Sequence, residues 1–219
     1  MPKRTSKHCI FVDTNIFTDA LYGKYVPGKS DPFKQRVASD FDKLLRTVLA
    51  KGGEEAICVS SFQLEVELIR ATLNEAIRRA PRIDPNDVVA LINACKTFIE
   101  QLDYLKEYEY VVVLDYTQPE VIKAILELYV KCRNLGIVKR RGGIGTQDLI
   151  IIASIYTLLK SRQCTSLELW TEDTALCDAL QELSHYCQKS PSKYAITVVH
   201  YDKSARQTRQ QPLYICTDP

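Results

Sequence analysis

Cys9-Ile10-Phe11-Val12-Asp13-Thr14-Asn15 decides how the chain reads. Ile10-Phe11-Val12 is a short β-rich run with no helical period, which marks a buried strand. Asp13, Thr14 and Asn15 each favour a helix start, because their side-chain oxygens can accept from the first free backbone amides. The chain therefore passes from strand to helix at an acid. The same passage recurs downstream. Ala56 to Val59 is a second strand, then Ser60-Ser61 caps a helix with the apolar face Phe62, Val66, Ile69, Leu73 and Ala76. Tyr110 to Leu114 is a third strand, and Thr117-Gln118-Pro119-Glu120 is a capping-box pattern opening a helix to about Arg133. Ser166 to Trp170 is a fourth strand, leading into a helix over Thr171 to Leu183, and Ile196 to Val199 is a fifth.

The remaining segments fit around these units. Tyr22 to Pro32, with two glycines and two prolines, predicts a loop. Phe33 to Ala50 has helical spacing and stops at Gly52-Gly53. Pro81, Asp84 and Pro85 separate two amphipathic helices, so about 74–108 predicts an added helical hairpin. Leu149 to Leu159 is apolar almost all round, and its length, with Thr146 as N-cap, predicts a buried helix. Strands spaced by helices indicate one α/β domain around a central parallel sheet of about five strands. The expected organisation is a basic tail over 1–7, the domain over 8–200 and a polar tail over 201–219.

Composition suits a folded enzyme. A chain of 219 residues can bury roughly 70–75% of its unfolded surface. Hydrophobic content of 46% and charged content of 26% are ordinary for a globular protein. A formal net charge of +2 gives no global pull toward nucleic acid, so polyanion binding must come from local clusters such as Lys139-Arg140-Arg141. Eight cysteines without a C-x-x-C pair and without a secretory signal read as reduced thiols of a cytoplasmic protein. No apolar stretch approaches the 18 or so residues that a membrane span needs. The three histidines show no zinc spacing.

Four acids then stand out: Asp13, Glu67, Asp148 and Asp173, each at a strand-to-helix junction. In an open parallel sheet the carboxyl ends of the strands share one edge, and ligands bind in the crevice there. Acids remote in sequence would converge. Two carboxylates about 5 Å apart at an effective dielectric near 20 oppose each other by roughly 3 kcal/mol. A cation resolves that conflict. Mg²⁺ or Mn²⁺ prefers oxygen ligands and can activate a water for attack on a phosphodiester. Asp148 and Asp173 would also suit the first turns of helices capped by Thr146 and Thr171, through the helix macrodipole alone.

Three stretches carry a family resemblance. Phe11-Val12-Asp13-Thr14-Asn15 resembles the opening motif of PIN-domain nucleases, an apolar strand ending in Asp, then Thr or Ser, then Asn. Thr146-Gln147-Asp148-Leu149-Ile150-Ile151-Ile152-Ala153 resembles their third acidic motif, and Leu169-Trp170-Thr171-Glu172-Asp173 their fourth. The resemblance spans about residues 8–199. It implies a PIN-like three-layer α/β/α fold and a Mg²⁺- or Mn²⁺-dependent endoribonuclease acting on RNA. It further implies a kinship with VapC-like toxins of toxin–antitoxin pairs, with an antitoxin protein and a second copy of the chain as partners. Asp13, Glu67, Asp148 and Asp173 would be its metal-holding and catalytic residues. Ser61 to Glu67 matches the family spacing for the second acid, and Glu65 competes with it.

Supporting roles follow. Asn15 could orient Asp13 or cap its helix; Thr171 could bond a bound water or cap the following helix. Lys139, Arg140 and Arg141 precede Asp148 in a loop with Gly142, Gly143 and Gly145, where backbone could approach a phosphate. Asp115 belongs to the turn before Thr117. Two other functions compete: a PIN-like module that binds RNA or assembles without catalysis, and an Asp-nucleophile phosphotransferase. The second usually needs an Asp where this chain has Asn15.

Overall fold

The computed structural model describes residues 7–25, 32–79, 84–138 and 144–217. The Lys139-Arg140-Arg141 loop lies outside them. The chain runs β1 (Lys7–Val12), α1 (Thr14–Tyr25), α2 (Pro32–Ala50), β2 (Glu55–Ser60), one π-helical turn (Gln63–Glu67), α3 (Leu68–Arg79), α4 (Pro85–Glu107) and β3 (Val111–Leu114). It continues through α5 (Pro119–Asn134), α6 (Thr146–Lys160), β4 (Cys164–Thr171), α7 (Thr174–Cys187), β5 (Tyr194–Asp202) and β6 (Gln207–Ile215). The expected α/β class and helical hairpin, α3 with α4, are present.

The sheet has six strands in the order β3-β2-β1-β4-β5-β6. The first five are parallel, and β6 closes the edge antiparallel to β5. From β1 the chain winds outward to β3, then returns to place β4 on the other side of β1. The boundary between β1 and β4 is therefore the topological switch point, where the connecting helices diverge and open a crevice at the strands' carboxyl ends.

Alternate strand residues point to opposite faces, and each face is covered. Phe11, Cys58, Leu169 and Val198 pack with Leu128, Ile152, Ile155 and Leu180 from α5, α6 and α7. Ile10, Val12, Ile57 and Val59 pack with Phe17, Phe41 and Phe98 from α1, α2 and α4. Helices thus flank the sheet on both sides. Gly23 lets α2 start against α1, since a Cβ there would stand 2.4 Å from the Lys34 carbonyl oxygen. Among the described residues, no helix is long and apolar enough to cross a membrane.

Four expectations need correction. Residues from Tyr201 onward are not a loose tail: β6 pairs with β5 from Asp202↔Gln207 to Tyr194↔Ile215. Its outer half is exposed and polar, as befits an edge strand, and only Leu213 and Ile215 are buried. The Tyr22 to Pro32 stretch is partly helical, because α1 continues to Tyr25. In the helix after β2, Val66, Ile69 and Leu73 are exposed, whereas Leu64, Leu68 and Thr72 are buried. The π turn is wound wider than an α-helix, so a strict 3.6-residue period carried through it selects the wrong face. The cysteines are not all reduced: Cys9 is joined to Cys164 and Cys187 to Cys216, while Cys58, Cys95, Cys132 and Cys177 are free and buried. Cys9 and Cys164 stand 155 residues apart in sequence, yet β1 and β4 are neighbours.

Candidate functional site

Asp13 ends β1 at the switch point and is almost fully buried. Its amide donates to the Trp170 carbonyl over 2.9 Å, which ties the ends of β1 and β4 together. Its carbonyl accepts from Ile16 N, which starts α1. Its Oδ2 accepts the Thr171 hydroxyl at 2.7 Å and the Asn15 amide at 3.5 Å. Asn15 is exposed and its bond is long, so Thr171 does most of the orienting.

Thr171 was expected to cap the helix after β4, but Asp173 is the N-cap of α7 and accepts from Leu176 N at 3.0 Å. The Thr171 hydroxyl instead joins the two acids, donating to Asp13 and accepting from Asp173 N at 3.0 Å. Thr146 is likewise not the cap of α6. That place belongs to Gly145, and Asp148, in the first turn, accepts from Gly145 N at 2.7 Å. Gly145 has no side chain to cap with, so the Asp148 carboxylate does the work from inside the helix.

Glu67 closes the π turn, and its Oε2 accepts the Thr14 hydroxyl at 2.7 Å. Glu65 points to solvent. The geometry thus separates the two candidates for the second acid: Glu67 faces the residue next to Asp13 and Glu65 does not. Gln63, unremarked in the sequence, holds this arrangement from beneath. It is buried, donates to the Val12 carbonyl at 3.0 Å and accepts from Ser60 N at 2.9 Å. The signal for it was a glutamine three residues after a strand-ending serine. Thr14 was read as a helix starter and a motif position, without a role toward Glu67.

Two of the four carboxylates are raised by their surroundings. Burial lifts the Asp13 carboxyl to about 7, with Glu67 and Asp173 adding to the rise and the Thr171 hydrogen bond opposing it. Burial likewise raises Asp148, the Gly145 amide opposes, and Asp173 and Glu67 raise it further. Asp13 and Asp148 therefore each sense Glu67 and Asp173. Glu172, between Thr171 and Asp173, is lifted to about 8 by burial and then by Asp19, against the pull of Lys203.

Each acid is oriented through one oxygen: Asp13 and Asp148 through Oδ2, Glu67 through Oε2 and Asp173 through Oδ1. All donors are oxygens, which suits a hard divalent cation and not a soft one. The four are spread more widely than a closed metal cage. Among the described residues, the set whose ligand atoms all lie within 4.8 Å of one another is Cys9, Cys58 and Cys164. Two of those sulfurs share a disulfide, and burial pushes the Cys58 thiol up to about 12. That trio offers no ready thiolate, which is the form that binds metal. No protein-family model, no curated protein and no solved structure matches the chain, so its function has to be read from the site itself.

Proposed function

We propose that the chain is a metal-dependent endoribonuclease of PIN-like type, with Asp13, Glu67, Asp148 and Asp173 as the residues that hold Mg²⁺ or Mn²⁺. The observation that carries this reading is the burial of the Asp13 carboxyl at the switch-point crevice, held there by Thr171 with Asp173 bonded to the same hydroxyl. Burial raises the Asp13 carboxyl most, and Glu67 and Asp173 add to the rise, an arrangement that costs stability and that a divalent cation would offset.

The metal would supply Lewis-acid stabilisation of a phosphoryl oxygen and an acidified water. The chain's own residues set the stage for that chemistry. Thr171 fixes the Asp13 carboxylate, Thr14 fixes Glu67, and Gln63 locks the strand ends on which both depend. The Gly145 amide and the Leu176 amide fix Asp148 and Asp173 at two helix N-termini, whose positive ends favour negative charge. On this reading, Lys139, Arg140 and Arg141 attract the RNA strand just before Asp148.

The test is cleavage of end-labelled single-stranded RNA. Wild type should cut with Mn²⁺ or Mg²⁺, stop with EDTA and cut poorly with Ca²⁺, whose looser shell misplaces the attacking water. Asp148→Asn should be inactive while folded. Cutting that persists in EDTA, or full activity in Asp148→Asn, would defeat the proposal.

A further inference from the structure

Asp19, Lys34, Glu172 and Lys203 form a second charged cluster beside the acid site but turned to the other face of the sheet. Leu169 belongs to the α6–α7 side and Trp170 to the α1–α2 side. Strand alternation therefore sends Thr171 toward Asp13 and Glu172 the opposite way. There the Glu172 carboxylate meets the Lys203 ammonium, which also lies 3.0 Å from Asp19 Oδ2. Asp19 pairs with Lys34 through its other oxygen. The two acids are only 5% and 2% exposed at their side chains, so the lysines are what keeps them in the interior.

The chain positions of the partners matter. Asp19 lies on α1, six residues after Asp13. Glu172 lies between Thr171 and Asp173. Lys203 is the first residue after β5, in the turn toward β6. A single ammonium thus joins the helix that leaves Asp13 to the segment that carries Thr171 and Asp173. On the near side, those same segments are joined by the Thr171–Asp13 hydrogen bond and by the Asp13 amide to Trp170. The carboxyl ends of the parallel neighbours β1 and β4 are clamped from both faces.

We propose that Lys203 is a positioning residue for the acid site: by bridging Asp19 and Glu172 it holds the Asp13 and Asp173 segments at their working separation. This rests on the metal-holding role proposed above. Residues that orient metal ligands without touching the ion typically change affinity by about 10- to 100-fold when lost.

The experiment compares three full-length proteins, wild type, Lys203→Met and Lys203→Arg, by hydrogen exchange at the Asp13 amide and by calorimetric titration with Mn²⁺ alone. Lys203→Met should exchange at Asp13 about tenfold faster, as expected when a local opening is eased, and bind Mn²⁺ at least about tenfold more weakly. Lys203→Arg should restore both. Unchanged exchange or unchanged Mn²⁺ affinity in Lys203→Met would overturn the proposal, as would an arginine variant that behaves like the methionine one. Absence of Mn²⁺ binding in the wild type would defeat the acid-site reading instead, and the exchange result alone would then judge the clamp. Should Lys203→Met fail to fold, Glu172→Gln/Lys203→Met removes both charges and takes the same two measurements.

Discussion

Thr171 donates its hydroxyl proton to Asp13 Oδ2 across 2.7 Å, although the two residues are 158 positions apart in the chain. The same hydroxyl accepts from the Asp173 amide. One side chain therefore couples the acid at the end of β1 to the acid that starts α7. Thr171 is itself fully buried, so no water can replace it. Hydrogen bonds to charged groups contribute about 1.5–3 kcal/mol. Thr171→Val should lower unfolding free energy by about that amount at pH 8 in urea titrations, and Thr171→Ser should restore most of it. Equal stability of the valine and threonine proteins would show that Asp13 is held by other contacts.

The raised Asp13 carboxyl makes a signed statement about pH. Its folded value, about 7, lies above its ordinary 3.8. The folded chain then holds a proton that the unfolded chain has lost, so stability falls as pH rises from about 4 to 7 and is level above. Lifting a carboxyl that far costs on the order of 4 kcal/mol at neutral pH in the absence of metal. Asp13→Asn should therefore stabilise the metal-free chain at pH 8, with the gain shrinking steadily toward pH 4. Urea unfolding at several pH values measures it. A gain that is absent at pH 8 or grows toward pH 4 would contradict the burial and repulsion assigned to Asp13.

Glu67 and Glu65 are two residues apart but have different surroundings, and paired amide substitutions separate them. Glu67→Gln should remove metal-dependent cleavage, and Thr14→Ala should weaken it by freeing Glu67 from its 2.7 Å bond. Glu65→Gln should leave activity unchanged, because the side chain points to solvent. Loss of activity confined to Glu65→Gln would move the second acid to the other residue.

The legibility of the fold followed the strength of local signals. The parallel strands were visible because a strand buried on both faces is a short continuous apolar run, as in Ile10-Phe11-Val12. The fully buried α6 was visible from the length of its apolar segment. The edge strand β6 was not, since Gln207 to Gln211 face solvent and look like a polar tail. The helix after β2 was recognised but turned the wrong way, because the π turn at Gln63–Glu67 breaks the 3.6-residue period. In the site, the acids could be found one by one, although only Asp13 and Asp173 come just after strands: Asp148 lies in the first turn of α6, which follows α5, and Glu67 ends the π turn. Thr171 and Asn15 were singled out as supports, but the contacts that do the orienting were hidden. Thr171, Thr14 and Gln63 act through partners 158, 53 and 51 positions away. The Lys203 pair with Asp19 was hidden for the same reason: charge partners across the fold leave no periodic trace.

Metal should bind the folded chain and not the unfolded one, and this makes stability a readout independent of any substrate. The four acids come together only when β1, the π turn, α6 and α7 are assembled, whereas an unfolded chain disperses them. Mn²⁺ at about 100 times its dissociation constant should then raise unfolding free energy by about 2.7 kcal/mol. Two features of the site sharpen the expectation. Asp13 is protonated more readily than an ordinary carboxyl, with its pKa at about 7, so the ion must displace a proton and the stabilisation should be larger at pH 8 than at pH 6. Asp148→Asn removes one ligand and one repelling charge together. It should therefore melt at least as high as wild type without metal, yet gain less on adding Mn²⁺. A melting temperature that ignores saturating Mn²⁺ at pH 8 in the wild type would leave the four acids as helix-start residues and withdraw the physical basis for a nuclease.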